Sequence, residues 1–395
     1  MCPEVSEANA GGVSSSAMSR VARYAAMGGV MDYTVYIALS LAPLLAEEWG
    51  AGPLELGILP VALALSYATT AILGGRISDR VSRTSLARFG LALIVLTFLG
   101  LSRASEVWHF YLGLPVAAFG MAFFWPALQA AIADESTPET LSRNLGWFNI
   151  CWSTGKGLGV LTGGILLGTL GKDGFIAAAG VGTLLVFLMP KVPRGGGEGR
   201  ALAGTDTGPP AGVRNSFRMA ALIANFTAFG LATSILNHYP KWNSILGRTG
   251  VDYGIVVGGI FLGQTIVFVL LQKFSGWRYR VRPLLLLQGF SALAALALAT
   301  ALPVGVLVPL MVLVGGGLGI CYYSSIYYSL HSDTARGGRA GLHEAMLGSG
   351  NFALPLLAGM AASLAHSPRV PYLFIAAAVL LSVAIQSVIL FRRRL

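Results

Sequence analysis

The chain has 395 residues, of which 55% are hydrophobic and 11% charged, with a net charge of +10. A soluble domain carries roughly 25% charged residues, so this composition cannot cover a water-exposed surface and excludes an ordinary cytoplasmic enzyme; the mean hydropathy of +0.69 agrees. The basic residues stand singly or in small groups between long apolar runs, with no basic and aromatic module, which excludes a nucleic-acid partner.

A membrane-spanning helix needs ~20 mostly apolar residues. In chain order, the sequence predicts an N-terminal tail at 1–21 and spans near 22–46, 54–74, 85–102, 108–132, 144–168 and 174–190. A linker at 191–218 follows, rich in Gly, Pro and charge and too poor in apolar side chains to form a core. Six more spans lie near 219–240, 252–272, 283–302, 304–330, 341–365 and 370–391, and a basic tail closes the chain at 392–395. The predicted fold is therefore an all-α membrane protein of twelve transmembrane helices, in two six-helix bundles at 22–190 and 219–391. The first seventeen residues hold Glu4 and Glu7 and no Lys or Arg, so they lack the basic start of a signal peptide, and the first span is expected to remain in the protein.

Orientation follows from the basic residues. With the N-terminus cytoplasmic, 21 of the 27 Lys and Arg face the cytoplasm and five face outward: Arg103, Lys172, Lys241, Arg248 and Arg369. Lys156 alone falls inside a span. Both termini are thus expected in the cytoplasm of a bacterial inner membrane. Cys2, Cys151 and Cys321 are too far apart for a disulfide framework or a metal-ligand spacing, and no metal or cofactor is expected.

Sliding the sequence on itself by 195 residues lays span five on span eleven, so that Gly146, Gly155, Val160 and Gly164 meet Gly341, Gly350, Pro355 and Gly359. Two parallel six-helix halves with a site near the membrane midplane form one of the transporter architectures.

Between spans two and three, Gly75, Asp79, Arg80 and Arg83 form a Gly-x-x-x-Asp-Arg-x-x-Arg pattern. Span five carries Gly146, Gly155, Gly159, Gly163 and Gly164. With the span count and the repeat, these resemble the signature loop and the antiporter motif of the major facilitator superfamily. Ser82 and Thr84 replace the usual Gly and basic residue of the loop, and Val160 replaces the usual Pro of span five. The resemblance implies that Asp79, Arg80 and Arg83 steady the outward-facing state, and that spans one, four, seven and ten line a cavity. Independently, Gly155, Gly159 and Gly163 recur every four residues and share a helix face on which a neighbour packs closely. Ser153-Thr-Gly-Lys156-Gly is not a nucleotide-binding loop, because the Gly five positions before Gly155 and the Ser or Thr after Lys156 are missing.

Charges inside a membrane are costly and mark function. Asp32 in span one and Lys156 in span five lie at similar depth; they either neutralise each other as a packing device or form a site for a proton or a cationic group of a solute. His343 and Glu344 open span eleven, where they either meet the basic loop at the surface or relay protons. For the cavity lining the candidates are Tyr36, Trp125, Gln129, Asn149, Asn225, His238, Gln264, Tyr322, Tyr323, Tyr327 and Asn351, whose ring edges and amides suit an amphipathic or sugar-like solute. The expected function is a monomeric, proton-coupled secondary transporter of a small organic solute, with membrane lipid, protons and solute as partners and efflux by exchange as the direction. The alternatives are a symporter or facilitator for a sugar-like or nucleoside-like solute, a membrane-embedded transferase, and a sensor that transports nothing.

Overall fold

The computed structural model describes residues 15–78, 82–191, 209–330 and 336–391. Its twelve long helices are α1 Ser15–Glu48, α2 Pro53–Ser78, α3 Arg83–Leu101, α4 Trp108–Asp134, α5 Pro138–Leu170, α6 Gly174–Leu188, α7 Ala211–Ile245, α8 Gly250–Lys273, α9 Val281–Leu298, α10 Val304–Leu330, α11 Arg336–Leu364 and α12 Val370–Phe391. Eleven continuous helical stretches are long and apolar enough to cross a membrane, and one of them, Thr140–Leu188, holds both α5 and α6 joined by the 3-10 turn Gly171–Asp173. No strand occurs among the described residues.

Helices outlast spans because the backbone ladder continues past the bilayer edge. α1 begins seven residues before the predicted span, α5 six, and α11 five. α7 begins at Ala211 rather than near 219, directly after Pro209 and Pro210, which cannot be preceded by helix but fit its first turn. α5 starts at Pro138 under a reciprocal capping box between Thr137 and Thr140.

The two halves repeat one packing plan. In the first, α1 packs on α5 and α6, α4 on α2 and α3, and α3 on α6; in the second, α7 packs on α11 and α12, α10 on α8 and α9, and α9 on α12. The duplication reaches single residues: a Cβ on Gly155 would strike the backbone of Gly29 in α1, and one on Gly350 would strike the backbone of Phe226 in α7. The halves meet through α5 with α8, α2 with α11, and α1 and α2 with α7.

Large apolar side chains stand exposed on the peripheral helices, among them Leu96, Phe187, Leu293 and Leu381. In water such a belt would be a severe liability, whereas in a bilayer it faces lipid.

Gly155→Val should cost at least about 3 kcal/mol of stability, since the added carbons meet backbone that cannot rotate away. Gly168→Ala, on the same helix with nothing within 4 Å, should be neutral or stabilising by up to ~1 kcal/mol. Thermal unfolding of the two purified variants checks the contrast; equal losses would contradict this account of the α1–α5 seam.

Candidate functional site

Asp32 and Tyr36 are one turn apart on α1, and Trp152 and Lys156 one turn apart on α5, so each helix offers two side chains to the other. The glycine face of α5 brings them together. Gly159 sits on Tyr33 and Tyr36, and Gly163 on Ile37 and Ser40, continuing the seat begun by Gly155. Lys156 Nζ then lies 3.9 Å from Asp32 Oδ2, 4.9 Å from the centre of the Tyr36 ring and 4.3 Å from that of Trp152. A carboxylate and two ring faces enclose the ammonium, which is how a buried cation keeps its charge in a poor solvent. Trp152 is held in place by donating from Nε1 to Asn149 Oδ1 at 2.9 Å.

The opposite edge of α5 faces the other half. Gly157 and Gly164 lie against Phe261 and Gly250 of α8. Ser153 Oγ donates to Gln264 Oε1 at 3.1 Å, and Thr265 Oγ1 reaches Ser153 Oγ at 2.9 Å. Gln264 is fully buried, and its Nε2 has no partner.

Between the halves lies a cavity with about 90 Å³ of space open to water, walled by α1, α2, α4 and α5 on one side and by α7, α8, α10 and α11 on the other. Its polar lining consists of Tyr36, Lys156, Thr233, Asn237, Gln264 and Asn351, set among Leu39, Leu59, Leu63, Phe229 and Phe261. Lys156 is the one charged residue in that lining. Asp32 is 3% exposed and stands behind it, so a solute meets the ammonium and not the carboxylate. Thr233 Oγ1 donates to Asn351 Oδ1 at 2.6 Å and Asn237 Nδ2 to Thr233 O at 2.9 Å. Lys156 Nζ, Gln264 Nε2 and Asn351 Nδ2 are thus donors in the lining with capacity to spare.

His343 is fully buried, inside α11 rather than at its start. Its Nδ1 lies 2.8 Å from Ser325 Oγ and 3.4 Å from Asn225 Nδ2, and Tyr322 packs on its ring. Glu344 is half exposed, 4.0 Å from His343 Nε2. Tyr322 also packs edge-on against Trp152, so ring contacts connect His343 with the residues around Lys156.

Of the remaining candidates, Tyr36, Gln264 and Asn351 line the cavity, while Asn149 and Asn225 support Trp152 and His343. Trp125 packs on Phe148, and Gln129 is exposed on α4. His238 donates from Nε2 to Pro355 O at 3.0 Å, beside Gly57 of α2. Tyr323 and Tyr327 pack edge-on against Trp277 near the end of α10, away from the cavity. Arg83 pairs with Asp134; Gly75 lies on α2, and Asp79 and Arg80 fall outside the described residues. Gly146 meets Gln272 of α8, Gly359 the backbone of Pro53, and Gly57 that of Pro355. Sequence reasoning missed Trp152, Ser153, Thr233 and Thr265. Only Trp152 had a signal, its position one turn before Lys156.

On the face opposite the linker, Lys241 of α7 pairs with Glu47 of α1 at 3.3 Å, and α2 is seated on α11 through Gly57 and Gly359. These contacts join the halves on that face. The model of the Major Facilitator Superfamily matches residues 24–340. The chain belongs to the major facilitator superfamily. Multidrug resistance protein 1 of Bacillus subtilis (strain 168) is 25% identical over 247 residues, 61% of this chain and 63% of that protein. Quinolone resistance protein NorA of Staphylococcus aureus (strain MRSA252) is 22% identical over 343 residues, 82% of this chain and 84% of that protein. The first of these alignments thus spans just under two thirds of the relative's length. Among solved structures, the nucleoside transporter NupG superposes with a TM-score of 0.69 at 12% identity, covering 93% of this chain and 98% of that one. A bacterial homolog of the lysosomal transporter Spinster, inward-facing and unoccupied, gives 0.62 at 16% identity over 94% and 95%. The chain is a multi-pass integral membrane protein, and its family comprises transporters and not enzymes, which sets aside the transferase alternative.

Lys156→Met should lower stability by ~3 kcal/mol, because Asp32 is left as a buried charge without its partner. Adding Asp32→Asn should restore most of that loss. Denaturant unfolding in detergent checks the cycle, and a double variant no more stable than Lys156→Met would contradict a paired site.

Proposed function

We propose that this chain is a proton-coupled secondary transporter that moves a small amphipathic organic solute by alternating access, exporting it in exchange for protons. It sits in a bacterial inner membrane with both termini, the linker and 21 of its 27 basic residues on the cytoplasmic side. In that orientation the face joined by the Glu47 and Lys241 pair is the outer one. The observation that carries the reading is the pair of Asp32 and Lys156 at the wall of a cavity between two rocking halves.

The coupling follows from the cost of charge in a low-dielectric interior. With Asp32 ionised, the pair is neutral and Lys156 is held against Tyr36 and Trp152. Once Asp32 takes a proton, Lys156 loses its counter-charge and is free to reorganise the donors that a bound solute uses. Proton and solute therefore act on one group of side chains. The apolar walls would hold the body of the solute, while Lys156 Nζ and Gln264 Nε2 meet its acceptors. His343 and Glu344 give a route for protons from the cytoplasmic side. Export is supported by relatives named for multidrug and quinolone resistance.

A second reading is uptake of a hydroxyl-rich solute, favoured by the run of Thr233, Asn237, Asn351 and Gln264 along the lining. The sign of the pH effect separates the two. Under exchange, acidification weakens solute binding to the purified protein; under symport it strengthens binding.

Proteoliposomes with an imposed pH gradient and a panel of amphipathic solutes provide the test. Asp32→Asn should abolish gradient-driven accumulation while protein still elutes as a single folded species. Accumulation unchanged by that substitution would remove Asp32 from the coupling.

A further inference from the structure

The two halves share a plan but not a charge balance. Of the seventeen acidic residues, twelve lie within 1–190 and only three, Asp252, Asp333 and Glu344, follow residue 208. On the linker face, the first half pairs two of its cations with acids: Arg83 with Asp134, and Arg20 with Glu135 through two hydrogen bonds at 2.7 and 2.8 Å. On the same face the second half carries Glu344, beside His343, and Asp333, which lies outside the described residues.

The imbalance is sharpest at the connection from α8 to α9. Lys273, Arg278, Arg280 and Arg282 fall within ten residues that contain no Asp or Glu. All four are exposed, and none forms an ion pair among the described residues. This connection is nevertheless firmly shaped. Tyr279 takes a left-handed backbone conformation with φ of 52°, which disfavours a residue with a Cβ. It is held there by its N–H donating to Tyr328 OH at 2.9 Å and by the Phe217 and Tyr328 rings. Trp277 donates from Nε1 to Leu271 O at 3.3 Å, and Arg278 lies 5.0 Å over the Tyr327 ring, which fixes its direction. Phe274, 64% exposed, projects beside Leu270, itself 45% exposed one turn earlier on α8.

We infer that this connection is a docking site for the headgroup of an anionic phospholipid. Four cations without carboxylate partners call for an external anion, and their position at the edge of the lipid-facing belt selects a lipid phosphate over a soluble one. Phe274 supplies the interfacial aromatic anchor that sits at headgroup depth. Each cation at an anionic membrane surface adds to the attraction, and the aromatic clamp presents them without a fresh ordering cost. The site is independent of the central cavity and of the direction of transport.

The test uses the full-length protein in detergent, titrated with phosphatidylglycerol or phosphatidylcholine and read by native mass spectrometry. Phosphatidylglycerol should be retained at least tenfold more tightly than phosphatidylcholine, with the preference falling as ionic strength rises. The triple variant Lys273→Gln, Arg280→Gln, Arg282→Gln leaves the aromatic clamp intact and should erase that preference. A charge-matched triple variant on the other face, Arg103→Gln, Lys172→Gln, Arg369→Gln, should leave it in place. Equal retention of the two lipids, equal loss in both triple variants, or displacement of phosphatidylglycerol by millimolar inorganic phosphate would each overturn the proposal. The wild-type comparison and its salt dependence stand without any variant.

Discussion

A carboxylate and an ammonium held 3.9 Å apart inside a lipid-solvated bundle constrain nearly everything around them. Neither charge tolerates the hydrocarbon alone, so each helix that carries one must be pressed against the other. The glycines of α5 perform that task, because their missing side chains let the backbones of α1 and α5 meet. Tyr36 and Trp152 then close over the ammonium and leave only its cavity side to solvent. A packing motif and a charged site are thus one construction.

α5 also works in the other direction. Its second edge, with Ser153, Gly157 and Gly164, lies on α8 of the opposite half, so the helix that carries Lys156 also bonds to Gln264 through Ser153. α2 plays the equivalent part against α11 through Gly57 and Gly359. The closest seats between the halves are these two helix pairs, with α1 and α2 also meeting α7, and seams of this kind suit halves that rock as rigid bodies. The Glu47 and Lys241 pair adds a polar clasp on one face that rehydrates readily when the face opens.

Much of this was legible in the sequence, for definable reasons. Apolar run lengths fix helix number, because the bilayer sets a length scale. The 195-residue repeat pairs Gly155 with Gly350, and both glycines meet backbone of the first helix of their own half. Asp32 and Lys156 stood out because charge in a span is rare. What the sequence could not carry was register between helices distant in the chain. Nothing local says that Ser153 faces Gln264, or that Lys156 and not Asp32 looks into the cavity. The Tyr residues of α10 show the same limit: helical spacing gives their face, but depth along the helix decides that Tyr323 and Tyr327 join Trp277 while the lining ends at Leu318. The helix starts at Ala211 and Arg336 lie beyond the apolar runs, and the first of them follows Pro210 as its N-cap, a signal that hydropathy does not weigh.

The central claim is that two halves open a shared cavity to one face at a time under control of the buried pair. It is tested most directly by distances between spin labels at both ends of the interface, in protein whose native cysteines are replaced by Ser. One pair, Leu54→Cys with Met360→Cys, spans α2 and α11 on the face opposite the linker; the other, Ser142→Cys with Phe274→Cys, spans α5 and the end of α8 on the linker face. As pH is lowered, the first distance should lengthen while the second shortens, and Asp32→Asn should hold both at their low-pH values. Distances that move together, or that ignore both pH and the substitution, would contradict the account.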